Sequence, residues 1–162
     1  MIILLLIILL KAWTAESYLT THDNQAWIAA YKTCPMETPP TILPCEDIPS
    51  NFPLGTYYRN GHARFESDDG EPVFHMFDGD GMVSAYTIDA VSKTILFRNR
   101  FVGTSGYLND KKRGIMNKPG MFGTKASGGL FCNMFRTDFK NVGNTHVLYH
   151  GEKLYGKRLS HS

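Results

Sequence analysis

Two aspartates set among glycines, Asp78-Gly79-Asp80-Gly81, and six histidines at His22, His62, His75, His146, His150 and His161 are the side chains best suited by type to hold a metal or move a proton. An EF-hand calcium loop needs a further oxygen ligand at position 5, glycine at 6 and a carboxylate at 12. Counting from Asp78, those positions fall on Met82, Val83 and Asp89, so the pattern excludes calcium and leaves the two aspartates a structural role in a turn. His146 and His150 share the spacing of a helical metal pair, but Thr145 to His150 reads as a strand. Four strand positions span about 13 Å, too far for one ion. His75 alternates with apolar neighbours and reads as a hydrogen-bonded packing residue. There is no Cys-x-x-Cys, no Cys/His zinc spacing and no Gly-x-Ser-x-Gly. Gly120 to Lys125 lacks the Gly-Lys-Ser/Thr core of a phosphate loop. Residue types alone therefore assign no catalytic, cofactor-binding or metal residue.

The elements around these residues read as mostly β. A chain of 162 residues with 43% hydrophobic and 20% charged residues fits one globular domain. A net charge of +2 is too small for a nucleic-acid partner, and Lys111-Lys112-Arg113 reads as a solvated turn or helix end. Met1 to Leu10 is an apolar run whose helical length, about 15 Å, is half a bilayer's hydrocarbon core. Residues 1–17 are read as a signal peptide for the secretory pathway or an organelle, the alternative being an uncleaved membrane-associated segment. Cys34 and Cys45 flank a Pro-rich stretch and either close a loop or stand, with Cys132, as three separate thiols.

Residues 18–53 are read as a short helix around Asn24 to Tyr31, capped by Asp23, followed by a Pro-rich extended arm. Thr56 to Arg59 is a predicted strand ended by an Asn60-Gly61 turn. Val73 to Phe77 and Met82 to Ile88 are predicted to pair as a hairpin across Asp78 to Gly81. Lys93 to Val102 supplies the next strand. From Gly103 to Asn141 periodicity is lost, apart from one helical turn near Tyr107 to Arg113, and this stretch is expected to be the loosest. Thr145 to Tyr149 and Lys153 to Tyr155 follow, joined at Gly151-Glu152. Three strands in meander order are the material of a propeller blade.

Four segments, in order, carry a resemblance. Phe52 to Gly61, Pro72 to Tyr86, Arg98 to Val102 and Asn141 to Leu154 resemble the carotenoid cleavage oxygenases, the family of the retinal-pigment-epithelium isomerohydrolase and the lignostilbene dioxygenases. The resemblance implies an all-β fold class, with residues 54–155 forming the first blade or blades of a seven-bladed β-propeller, incomplete in this chain, and 156–162 a divergent tail. It implies Fe(II) held on the axis by four histidines, with O2 cleaving a conjugated C=C bond of a carotenoid or apocarotenoid into two carbonyls, and peripheral membrane contact. Two departures stand out: His62-Ala63-Arg64 where the family runs Pro-Asn-Pro, and the closing Gly156 to Ser162. None of the four iron ligands falls on a residue here. No cofactor and no activity are therefore expected from this N-terminal fragment by itself. The other reading is a truncated, non-catalytic protein that binds an apolar ligand or a membrane surface.

Overall fold

Three runs that carry β-branched and aromatic residues form strands: β2 (Gly55–Arg64), β3 (Asp80–Asp89) and β4 (Thr94–Phe101). In this computed structural model, which describes residues 31–157, they pair antiparallel with an edge strand β1 (Thr41–Pro44) in the order β1-β4-β3-β2. The signal segment, the helix around Asn24 to Tyr31 and the end of the tail lie outside the described residues. Within the Pro-rich arm, Pro44 sits at the end of an edge strand, where a missing N–H costs no ladder bond. Asp89 closes the β3–β4 hairpin, its Oδ1 accepting from the Val91 and Ser92 amides at 3.0 and 3.1 Å. Register puts Tyr57 opposite Tyr86, and Tyr86 opposite Phe97, as a row of rings across one face. Their centroids are 6.1 and 5.1 Å apart.

Two expected turns are absent. Val73 to Phe77 does not pair with β3, whose partners are β2 and β4. The backbone bonds of this stretch go elsewhere: Val73 N–H to the Phe65 carbonyl, and Phe74 N–H to the Thr124 hydroxyl. His75 then caps a 3-10 turn over Met76–Asp78, its Nδ1 accepting from the Phe77 amide. Nor does Asn60-Gly61 end β2. Asn60 spends its side chain outward, donating to the Gly143 and His146 carbonyls, while the ladder runs on past it to a bulge between His62 and Arg64.

Asp78 to Gly81 is an interior junction in place of the expected hairpin turn. Asp78 and Asp80 are both buried. Gly81 packs its backbone on Gly143 and Asn144 with no room for a Cβ, and donates to the Val142 carbonyl at 2.8 Å.

The stretch from Gly103 to Asn141 is also better tied than its sequence suggests. The helix α1 (Ser105–Arg113) is longer than one turn because both ends are capped. Thr104 accepts from the Tyr107 amide, and Gly114 takes the left-handed conformation at φ 73°. Lys111, Lys112 and Arg113 occupy its last turn, as expected. Its Asp110 is fully buried, and a short α2 (Gly129–Asn133) follows. Lys140 Nζ lies 2.7 Å from Asp80 and 2.8 Å from Asp110, and Arg64 approaches Asp80 at 3.3 Å. Such charges survive burial only together. They hold the irregular stretch to the start of β3. The apolar core alongside is small, with Phe65, Met82, Met116 and Val142 its larger members.

The last hairpin, β5 (His146–His150) with β6 (Lys153–Lys157), turns at Gly151-Glu152, both at positive φ. All three cysteines are free thiols.

Candidate functional site

A cavity of about 300 Å³ opens where the end of β2, the 3-10 turn, the 120–124 turn and the 142–145 segment meet. Its apolar lining is Phe77, Met121, Phe122, Val142 and the ring of His62. The cavity rings His62, Phe77 and Phe122 form one wall, with His75 packed against the last two from outside the lining. His62 stacks on Phe77 at 5.4 Å, His75 meets Phe77 edge-on at 5.0 Å and stacks on Phe122 at 5.2 Å, and Phe77 meets Phe122 edge-on at 5.3 Å. These are the offset and T-shaped arrangements that aromatic quadrupoles favour.

The polar lining is largely occupied with the protein itself. Asn60 is spent on two carbonyls, Lys140 on Asp80 and Asp110, and Asn144 Nδ2 on the Phe77 and Gly79 carbonyls at 2.9 and 2.7 Å. Asp78 accepts from the Phe122 amide at 3.0 Å, from the Thr124 amide at 3.2 Å and from the Thr124 hydroxyl at 2.7 Å. Burial, and then the neighbouring His75, hold the His62 imidazole below its usual range. The hollow is ring-lined, with Arg59 also on its lining, and its three rings suit a flat, conjugated molecule.

His75 is thus the hydrogen-bonded packing residue its neighbours suggest. It packs behind Phe77 and Phe122, while His62 and Asp78 line the cavity, a grouping that sequence spacing does not reveal. His146 and His150 stand at opposite ends of β5, opposite Lys157 and Lys153, and take no part in the cavity. Among the described residues no three His, Cys, Asp or Glu side chains come together to hold a metal ion. The described residues therefore do not fit an iron site.

A second, shallower groove of about 660 Å³ lies on the ring-bearing sheet face, lined by Phe52, Leu54, Tyr57, Tyr86, Ile88 and Ile95. The buried Arg64–Asp80–Lys140–Asp110 cluster left one sequence trace: Asp80 within an apolar, glycine-rich run. Its cationic partners, up to 60 positions away, left none.

Residues 31–159 match the family described as Retinal pigment epithelial membrane protein. The chain is 35% identical over 137 residues to apocarotenoid-15,15'-oxygenase of Synechocystis, covering 83% of this chain and 27% of that protein. It is 36% identical over 134 residues to the chloroplastic carotenoid cleavage dioxygenase 7 of Arabidopsis thaliana, covering 78% and 21%. In solved structures, a variant of Synechocystis apocarotenoid oxygenase superposes with a TM-score of 0.70 at 34% identity, over 82% of this chain and 27% of that one. Its cobalt-substituted form superposes with a TM-score of 0.70 at 36% identity, with the same coverage. The chain thus spans about a quarter of the length of the relatives it matches, and its sheets correspond to part of their β-propeller.

Proposed function

This chain belongs to the retinal pigment epithelial membrane protein family, the carotenoid oxygenases, and on that footing we propose that it supplies part of the polyene-binding wall of a carotenoid or apocarotenoid cleavage oxygenase. The observation that carries the proposal is the ring-lined cavity, where His62, Phe77 and Phe122 pack together, backed by His75, while Asn60, Lys140, Asn144 and Asp78 are spent on protein partners. The whole enzyme uses Fe(II) and O2 to cleave a conjugated C=C bond into two carbonyls. The described residues bring no set of ligands for that iron, so their part is to seat the substrate and keep water off its chain. Residues 54–155 are the propeller portion, residues 18–53 an N-terminal arm, residues 156–162 a divergent tail, and residues 1–17 a signal for the secretory pathway or an organelle. The chloroplastic address of the Arabidopsis relative supports the organelle. Contact with a membrane surface is the expected route for so apolar a substrate.

The test is a paired assay on the purified chain, with β-apo-8'-carotenal titrated by absorbance and then incubated with Fe(II) and air. Saturable binding with no carbonyl product above free iron is expected. Failure to bind overturns the substrate-wall proposal. Protein-dependent cleavage overturns the assignment of the iron to residues elsewhere. The alternative, a non-catalytic apolar-ligand protein, is favoured if no iron-dependent partner polypeptide restores turnover to the bound complex.

A further inference from the structure

The cavity's wall is made of rings from three segments, and one buried side chain joins two of them, the 3-10 turn and the 120–124 turn. Asp78 directly follows Phe77, is 4% exposed, and pairs with no cation among the described residues. Its charge is met by donors from the 120–124 turn. The Phe122 amide donates to Oδ1 at 3.0 Å and lies 3.2 Å from Oδ2, while the Thr124 amide and hydroxyl donate to Oδ2 at 3.2 and 2.7 Å. A carboxylate accepting several N–H and O–H bonds in a buried place is a strong, geometrically specific tie. The turn closes on itself through Gly120 N–H to the Thr124 carbonyl at 2.8 Å. Gly120 lies so close to the Asp78 carboxylate that a Cβ there has no room. The donor is the backbone of Phe122 itself, so the bond fixes where that ring enters.

We infer that Asp78 is a positioning residue: by holding the Phe122 and Thr124 amides and the Thr124 hydroxyl, it sets the Phe122 ring against Phe77 and His75 and so completes the wall on which a conjugated ligand lies. This rests on the cavity's being a polyene site, and two readouts separate the one from the other. The variants are Asp78→Asn, which turns an amide donor toward amide donors, Thr124→Val, which removes the hydroxyl but keeps the shape, and Thr124→Ser, which restores it. The probe is all-trans-retinol, followed by its fluorescence. Hydrogen exchange of residues 119–126 is followed in parallel without ligand.

Asp78→Asn and Thr124→Val are expected to weaken retinol binding about tenfold or more, with faster exchange confined to the 120–124 amides, while Thr124→Ser stays within about twofold of the parent. Parent-like retinol binding by both Asp78→Asn and Thr124→Val overturns the inference. So does a Thr124→Ser chain that behaves as Thr124→Val does, or exchange that rises equally across the whole sheet, since each marks a general structural role. A parent chain that does not bind retinol overturns the reading of the cavity. The exchange arm still decides the clamp in that case, because unchanged exchange at 120–124 in both variants overturns it.

Discussion

The Thr124 hydroxyl donates to the Asp78 carboxylate at 2.7 Å across 46 positions of sequence, and the same hydroxyl accepts from the Phe74 amide at 2.9 Å. One oxygen thus ties the glycine-rich turn to both ends of the segment that carries His75 and Phe77. The aromatic wall depends on that tie more than on any strand, because none of its rings except His62 belongs to the sheet.

Lys140 is the hub of the buried charge cluster. Replacing it by Met leaves Asp80 and Asp110 facing each other with only Arg64 to compensate. Breaking a buried pair by removing one partner costs about 3–5 kcal/mol. Urea unfolding of Lys140→Met is expected to show a loss of that order, and a loss below about 1 kcal/mol contradicts the cluster's role in holding residues 103–141.

Acid should loosen the cavity through His62. Its folded pKa lies below the ordinary value of 6.5, because burial and then His75 disfavour the charged ring. The unfolded chain therefore takes up the proton first. Stability from this residue is complete at neutral pH and is lost as pH falls below about 6.5 toward the folded value. His62→Phe keeps a ring on Phe77 and removes the titration. The urea midpoint of the parent is expected to fall more between pH 7.5 and 5.5 than that of His62→Phe, and parallel falls in the two chains refute the assignment.

At one end of the row Tyr57–Tyr86–Phe97, Tyr57 is 60% exposed and Leu54 beside it 73% exposed, while Tyr86 and Phe97 are half-buried. An apolar sheet face left open invites association. Sedimentation velocity of the parent is expected to shift upward with concentration. The Leu54→Ser, Tyr57→Thr double variant is expected to shift little. A parent chain that sediments as a monomer at every concentration contradicts this.

The strands were the most legible part of the chain, for reasons that particular residues make plain. Tyr86, Ile88, Ile95 and Phe97 alternate with period two, and Asp89 and Gly151-Glu152 carry their turns locally. Asp78-Gly79-Asp80-Gly81 misled because its local chemistry is that of a hairpin turn while its bonds are long-range, to Thr124, Lys140 and Val142. Asn60-Gly61 misled for a similar reason: Asn60 Oδ1 accepts locally from the Gly61 amide, but its Nδ2 reaches across to the Gly143 and His146 carbonyls and the ladder runs on. Beside the cavity, His75 was legible as a packing residue. Its union with His62 and Phe122 was not, since no period links positions from three separate elements.

The most direct measurement is a β-apo-8'-carotenal titration of three chains: the parent, Phe77→Ala with Phe122→Ala, and Leu54→Ser with Tyr57→Thr. If the ring-lined cavity seats the polyene, the parent binds saturably, the first variant loses about tenfold or more in affinity, and the second binds like the parent. Binding that survives loss of Phe77 and Phe122 but fails with Leu54 and Tyr57 places the ligand on the open sheet face and contradicts the assignment of the cavity.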